Sequence, residues 1–541
     1  MPAVTESAEQ AYRNVARFMQ AGDWRAADAS CRRLTAQYPN WAAGWYTASR
    51  IAMAARSPAN ALDAVDRALR LEPANSQFLV HRAFCLLALN RPRDALDAAA
   101  AVERIAPTDA AIWDAIGLVR SRANEHRGAL AAYDRAVGIA PQEAHFIFNR
   151  ASVRRFVGDL EGAEADYDRA IALKPSDYEA YANRSELRVQ TAARNHVREM
   201  EDLLTRAGPN WEGEVQLRFA LAKEYEDLGE YAKSFGHLEL GARTRRAHMQ
   251  YDVAIDTATV DWIIEAFPVM AVGAQTAANT EAAASTEDPI FIVGLPRSGS
   301  TLVERILSSH SSLTSAGELE CFAASLVDLV HRQSGAASSP LPRRELVKRS
   351  ATLDFAALGF EYLGRARNVL HARGALQGAG RFIDKMPLNY LYCGLIRRAL
   401  PHARIIHVTR HPMGVCYAMY KTLFKGGYPF SYDLGEIARY YIAYRRLMQH
   451  WDSIMPGAML QVRYEDLVAD QPAETRRILE FCQLAWEPAC AEFEKNPAPS
   501  TTASAAQVRR PIYQSSVAQW QHHEQELSEL REALAAAGYR D

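Results

Sequence analysis

The 541-residue sequence predicts an α-solenoid followed by an α/β domain built on a central parallel sheet. Three observations carry this. A proline returns every 34 residues through the first half, a strand-like apolar run meets a glycine-rich turn at 290–301, and a stretch with few large apolar residues separates the two. The length agrees, since a single hydrophobic core rarely grows beyond roughly 250–300 residues.

The prolines are Pro39, Pro73, Pro107, Pro141, Pro175 and Pro209. Twelve residues before each stands a small side chain: Ala27, Ala61, Ala95, Ala129, Ala163 and then Val197. Between the two marks lie amphipathic segments such as ALDAVDRALRLEP (61–73) and AEADYDRAIALKP (163–175). A small residue lets two helices approach closely, and proline ends a helix because it lacks an N–H and fixes φ. The pattern resembles the tetratricopeptide repeat, in which stacked helix pairs bury what no pair buries alone. Residues 216–246 keep the cadence without a proline and read as a capping repeat. Trp113, Phe146 and Phe148 read as core of the first helices of their repeats.

After Met270 the run AVGAQTAANTEAAASTED reads as a linker. The expected organisation is a repeat array over 1–250, a connecting helix and linker over 251–288, and the α/β domain over 289–541.

That domain opens with IFIVG (290–294), a buried-strand pattern, then LPRSGST, then LVERILSSH with helical spacing. Strand, glycine-rich turn and helix form an anion site, because backbone N–H groups and the positive helix end converge there. In Walker spacing, the position of the nucleoside triphosphatase lysine is Ser300. The later strand RIIHV (404–408) runs into Thr409-Arg410, a cation where a kinase needs a metal-binding acid. Arginines in place of lysine and metal suit a phosphosulfate better than a triphosphate.

Five blocks then resemble sulfotransferases in the family's order, closest to the tyrosylprotein type. They are PRSGSTL, FIDKMPLNY (382–390), RIIHVTRHP (404–412), LQVRYEDLV (460–468) and SAAQVRRPIY (504–513), within about 289–525. The resemblance implies 3′-phosphoadenylyl sulfate (PAPS) as sulfuryl donor, no metal, and a protein or peptide acceptor, tyrosine first among them. It implies that Arg297 and the backbone of Ser298, Gly299, Ser300 and Thr301 hold the 5′-phosphosulfate. Arg410 then binds the 3′-phosphate, Tyr464 lies by the adenine, Ser504 supports the transition state, and Arg510 lies near the 3′-phosphate. An ungapped count from Arg297 puts the catalytic base at Glu318, with Glu320 as the alternative, and Lys385 at the strand end bridges sulfonate and leaving oxygen.

The sequence departs from the family at three positions. Ala418 replaces a serine, Thr422 with Lys421 beside it replaces a basic residue, and Gln519 replaces the lysine before Trp520. These changes bear on the 3′-phosphate clamp. A rival reading is a repeat-based adaptor with a degenerate, non-catalytic domain; Glu318, Lys385 and Ser504 together favour turnover. In the enzyme reading the repeats select the acceptor, so removing 1–250 would leave nucleotide binding in place.

Lys plus Arg number 62 and Asp plus Glu 64, so no global basic field points to nucleic acid or anionic membrane. LPRRELVKR (341–349) reads as a surface helix start, and His407, His411 and His450 lack metal-ligand spacing. Seven scattered cysteines without a CxxC pair, an N-terminus without signal features, and no bilayer-length apolar run predict a cytoplasmic protein. Self-association into a homodimer stays open.

Overall fold

The computed structural model describes residues 7–206, 210–268, 288–335, 341–372, 380–424, 426–496, 498, 508, 512 and 514–539. The chain divides into two compact units: Met1–Arg154 with Asn368–Ala375, and Arg155–Arg367 with Leu376–Asp541.

The first unit is a stack of helix pairs, for example Ala42–Ala54 with Pro58–Leu71 and Ser76–Ala88 with Pro92–Ile105. Asp23, Asn75 and Asp109 start helices by accepting first-turn backbone N–H bonds, each such cap stabilising by about 1 kcal/mol. Ala27, Ala61, Ala95 and Ala129, and Ala163 in the second unit, are each 0 % exposed, at the close helix approaches. Three of the proline carbonyls accept from the helix that follows. Trp45 donates to the Pro39 carbonyl at 2.8 Å, Trp113 to Pro107 at 2.7 Å and Tyr181 to Pro175 at 3.3 Å. Trp113 thus packs against the core while its ring N–H closes a helix end.

The second unit begins with the remaining repeats. The sixth pair is irregular: its first helix ends at Ser185, and its second starts only at Val197, which is half-buried, unlike the alanines it aligns with. The intervening loop is organised by Glu224, fully buried, which accepts from Ser185 Oγ and from the backbone N–H of His196 at 2.6 Å each. Pro209 lies outside the described residues. A regular pair follows, Trp211–Asp227 and Tyr231–Ala247, then the helix Val253–Ala266. That last helix is tied to the α/β part by Asp256 with Arg343 at 2.8 Å, and by an ion pair of Asp261 with Arg446. The segment after Met270 lies outside the described residues.

Five parallel strands form the sheet: β1 (Ile290–Gly294), β2 (Leu313–Ser315), β3 (Arg381–Asp384), β4 (Arg404–Thr409) and β5 (Met459–Arg463), in the order β2-β3-β1-β4-β5. β1 is buried along its whole length. Ile290 and Ile292 join Val303, Ile306 and Ile478 on one face, while Phe291 packs with Phe322 and Tyr362 on the other. Covering on both faces is the usual condition of parallel strands. Because β1 has β3 on one side and β4 on the other, the strand order reverses at its carboxyl end, where open α/β sheets form their ligand crevice. Among the described residues, no helix is long and apolar enough to cross a membrane.

Candidate active site

The phosphate loop occupies that crevice. Its glycines are dictated by space and conformation. Gly294 has φ +147°, and a Cβ there would lie 2.4 Å from the Val408 carbonyl oxygen of β4. Gly299 has φ +106°, and its Cβ would lie 2.6 Å from the Tyr464 ring. Arg297 adopts φ +68°, a left-handed conformation unusual for a side chain of its size. The helix Ser300–Leu307 starts directly from Gly299, which has no side chain to cap it, so its amino end is turned to the loop. Ser298 is 1 % exposed, and among the described residues its hydroxyl has no hydrogen-bond partner. A buried hydroxyl without a partner among the described residues, set at a helix amino end, is a fit for an anion.

On one flank stands Arg410, just past β4. It donates to the Arg297 carbonyl at 3.2 Å and to the Ser516 carbonyl, and its guanidinium lies 4.7 Å over the Tyr464 ring. Tyr464 opens the helix after β5 and shares a 2.7 Å hydrogen bond with Ser516 Oγ. Arg410 and Tyr464 therefore tie the phosphate loop to the C-terminal segment, where Trp520 stacks on His411 at 5.1 Å.

On the other flank is Lys385, immediately after β3. It is 1 % exposed, so it is no surface lysine. Its ammonium lies 2.5 Å from Glu318 and 3.7 Å from Glu304. Burial alone would push it toward the neutral form, but the two carboxylates outweigh burial and hold it above the ordinary lysine range. The backbone sets this meeting: Ala316 N–H donates to the Ile383 carbonyl at 2.8 Å and Lys385 N–H to the Gly317 carbonyl at 2.9 Å. Those bonds extend the β2–β3 ladder and carry Glu318 to the strand end. Glu320 instead precedes the helix Cys321–Ser334; both glutamates are exposed, and it is the meeting with Lys385 that sets Glu318 apart.

The structure thus brings Arg297, Ser298, Gly299, Ser300 and Thr301 together with Arg410 and Tyr464, and joins Glu318 to Lys385. Ser504 and Arg510 lie outside the described residues. Ala418 is buried within the helix Pro412–Tyr420. Lys421, weighed from sequence as a phosphate contact, is engaged elsewhere, 2.7 Å from Glu226 and 3.0 Å from the Gln519 amide oxygen.

Three residues escaped the sequence reading. Glu304 accepts from Ser315 at 2.5 Å as well as facing Lys385, and it sits on the helix that starts at the phosphate loop. The signal for it was an acid near the positive end of a short helix. Asp384 is fully buried, accepts from Tyr362 at 2.9 Å, and is pushed by burial up to about 7. Arg445 lines the cavity beneath the phosphate loop with Ser298, Thr409 and Arg410; nothing local marks it. The histidines are structural. His407 is buried 2.5 Å from Tyr444 Oη, and His450 lies 2.8 Å from the Phe267 carbonyl. Among the described residues, no group of three or more His, Cys, Asp or Glu side chains is placed to hold a metal ion.

Residues 289–488 match the Sulfotransferase family, so the chain carries a domain of that family behind its helical repeats. It is 30 % identical over 355 residues to an "Uncharacterized protein" of Aquifex aeolicus (strain VF5), covering 64 % of this chain and 45 % of that one. The chain therefore spans less than half the length of that relative. It is 25 % identical over 243 residues to a "Putative protein-tyrosine sulfotransferase" of Caenorhabditis briggsae, covering 43 % of this chain and 81 % of that protein. Among solved structures, a tetratricopeptide repeat protein from Parabacteroides merdae is 16 % identical with a TM-score of 0.34, covering 45 % of this chain and 94 % of its own. A thermophilic repeat protein of Thermus thermophilus is 19 % identical with a TM-score of 0.30, covering 34 % and 98 %.

Proposed function

We propose that this protein transfers a sulfuryl group from PAPS to an acceptor hydroxyl, with a tyrosine of a protein or peptide as the acceptor. The observation that carries this reading is the joining of two devices at one sheet end: a lysine-free phosphate loop and the buried Lys385 paired with Glu318.

Each residue then has a task. The backbone N–H groups at 299–301, the Ser298 hydroxyl and Arg297 hold the 5′-phosphosulfate. Arg410 turns a donor from its backbone partners to the 3′-phosphate. An acceptor hydroxyl enters between Glu318 and Lys385, and Glu318 takes its proton as the oxygen attacks sulfur. The bond from sulfur to the 5′-phosphate oxygen breaks, and Lys385 places its charge on that departing oxygen. Glu304 keeps Lys385 charged throughout. The products are the sulfated acceptor and adenosine 3′,5′-bisphosphate. Tyrosine as acceptor is supported by the name of the Caenorhabditis briggsae relative and by Tyr428, Phe424 and Phe430, an aromatic group beside Glu318. Selection of the acceptor by the repeats completes the reading.

Adenosine 3′,5′-bisphosphate at 100 times its dissociation constant should stabilise the protein by about 2.7 kcal/mol without Mg²⁺. A melting temperature moved only by Mg·ATP would overturn the donor assignment. Glu318→Gln should lower kcat by about 10²–10⁴ with nucleotide affinity retained; the same loss in Glu320→Gln instead would move the base.

A further inference from the structure

The last repeat pair is joined to the nucleotide site by one largely buried acid. Glu226, near the end of the helix Trp211–Asp227, faces the α/β part rather than another repeat. Its Oε2 lies 2.7 Å from Lys421 Nζ, and its Oε1 accepts from Tyr417 Oη at 2.7 Å. Burial alone would raise this carboxyl, but Lys421 and Tyr417 outweigh burial and hold it below the ordinary glutamate range.

What Glu226 holds leads directly to the nucleotide site. Tyr417 belongs to the helix Pro412–Tyr420, which starts two residues after Arg410. Lys421 ends that helix and donates onward to Gln519 at 3.0 Å. Gln519 belongs to the C-terminal segment whose Ser516 meets Arg410 and Tyr464 and whose Trp520 stacks on His411. The same repeat pair grips this segment a second time. Tyr231 stacks flat on His522 at 4.0 Å, and Phe235 and Tyr417 enclose the fully buried His523. The segment 514–523 is thus pinned on the nucleotide side by Arg410, Tyr464 and His411, and on the repeat side by Glu226, Tyr231 and Phe235.

We propose that Glu226 is a positioning residue for the donor nucleotide: through Lys421 and Gln519 it sets the C-terminal segment against Arg410 and Tyr464. The inference rests on the donor reading above and adds a repeat residue to the nucleotide site. Gln519, where the resemblance places a lysine, and Lys421, beside Thr422 where it places a basic residue, form with Glu226 a carboxylate–ammonium–amide relay anchored in the repeats. Removing 1–250 would therefore weaken nucleotide binding, against the expectation from sequence that the array serves acceptor choice alone.

The test uses the full-length chain, with calorimetric titration of adenosine 3′,5′-bisphosphate and steady-state kinetics in PAPS. Glu226→Gln and Lys421→Met should each weaken the bisphosphate about tenfold and raise the KM for PAPS alike, with kcat at saturating PAPS nearly unchanged. Because the two act through one link, the double variant should bind no worse than either single. Glu226→Asp, which keeps the charge, should recover part of the loss. If Glu226→Gln does not fold, Lys421→Met with Gln519→Ala reads the same link from its other end. Unchanged affinity in cooperatively melting variants, additive losses, or a fall in kcat without a change in KM would overturn the inference. Wild-type protein that fails to bind the bisphosphate would overturn the donor reading and this inference with it; wild-type binding with indifferent variants would sink the inference alone.

Discussion

The helix pairs of the amino-terminal unit and the last pair, 211–247, share one geometry but spend their polar side chains differently. In the repeats, ion pairs link a second helix to the next first helix: Arg82 with Asp66 at 2.7 Å and Arg150 with Asp134 at 3.1 Å. Both partners in these pairs sit at multiples of the repeat length; Asp134 is exposed, and Arg82 and Asp66 are each about a third exposed. In the last pair, Arg246 meets Glu436 at 2.7 Å and Glu226 meets Lys421, both reaching elements of the α/β part and both largely buried. Periodic, wet pairs fix the stacking of a solenoid. Aperiodic, dry pairs fix a solenoid end to something else.

The strongest way to break this comparison is to cut equally deep in both regions. Phe78 in the first unit is 4 % exposed and Phe235 in the last pair is 6 % exposed. Either Phe→Ala change should cost about 3–5 kcal/mol of stability, read by denaturant melts. Only Phe235→Ala, whose ring packs on His523 and Tyr420, should also weaken adenosine 3′,5′-bisphosphate. Equal loss of affinity in both variants would erase the distinction.

Next in size is the Arg246–Glu436 pair. Arg246→Ala leaves Glu436 buried with its guanidinium partner gone, and should cost about 1.5–3 kcal/mol. Acidification acts on both regions. His81 is held down at about 4, by burial and then by Arg50, and His407 at about 3, by burial and then by Arg445. Below their ordinary value of 6.5 the unfolded chain takes up protons that these folded histidines refuse. Stability therefore falls as pH drops from 6.5 toward those values, by up to about 1.4 kcal/mol per pH unit for each histidine. Melting curves across this range should flatten in His81→Leu and His407→Leu. The smallest effect belongs to Arg82→Ala: its pair with Asp66 is open to solvent on both sides, and such a pair is worth about 0.2–1 kcal/mol. A loss there as large as at Arg246 would mean that exposure does not separate the two kinds of pair.

The same contrast explains what could be read from the sequence. The prolines, the buried alanines and the phosphate loop announce themselves because each obeys a local rule: a missing N–H, a close helix approach, a left-handed glycine. The strand ends were legible too, since apolar runs stopped at Gly294, Asp384 and Thr409. The irregular sixth repeat was not, because Val197 continues the small-residue column while Glu224 and His196 reshape the loop from 28 residues apart. Glu226 gave no sign at all. Its partner stands 195 residues later, and within its own helix it is one acid among several. Lys421 looked available for phosphate because its occupant was invisible from its neighbours.

The carbonyls of the helix-ending prolines have one more consequence. Trp45, Trp113 and Tyr181 reach back six residues to three of them, each from the helix that opens the next repeat. Each donor therefore clasps the break between two repeats. A first helix moved elsewhere in the array would carry its own clasp wherever a proline stands six residues before it.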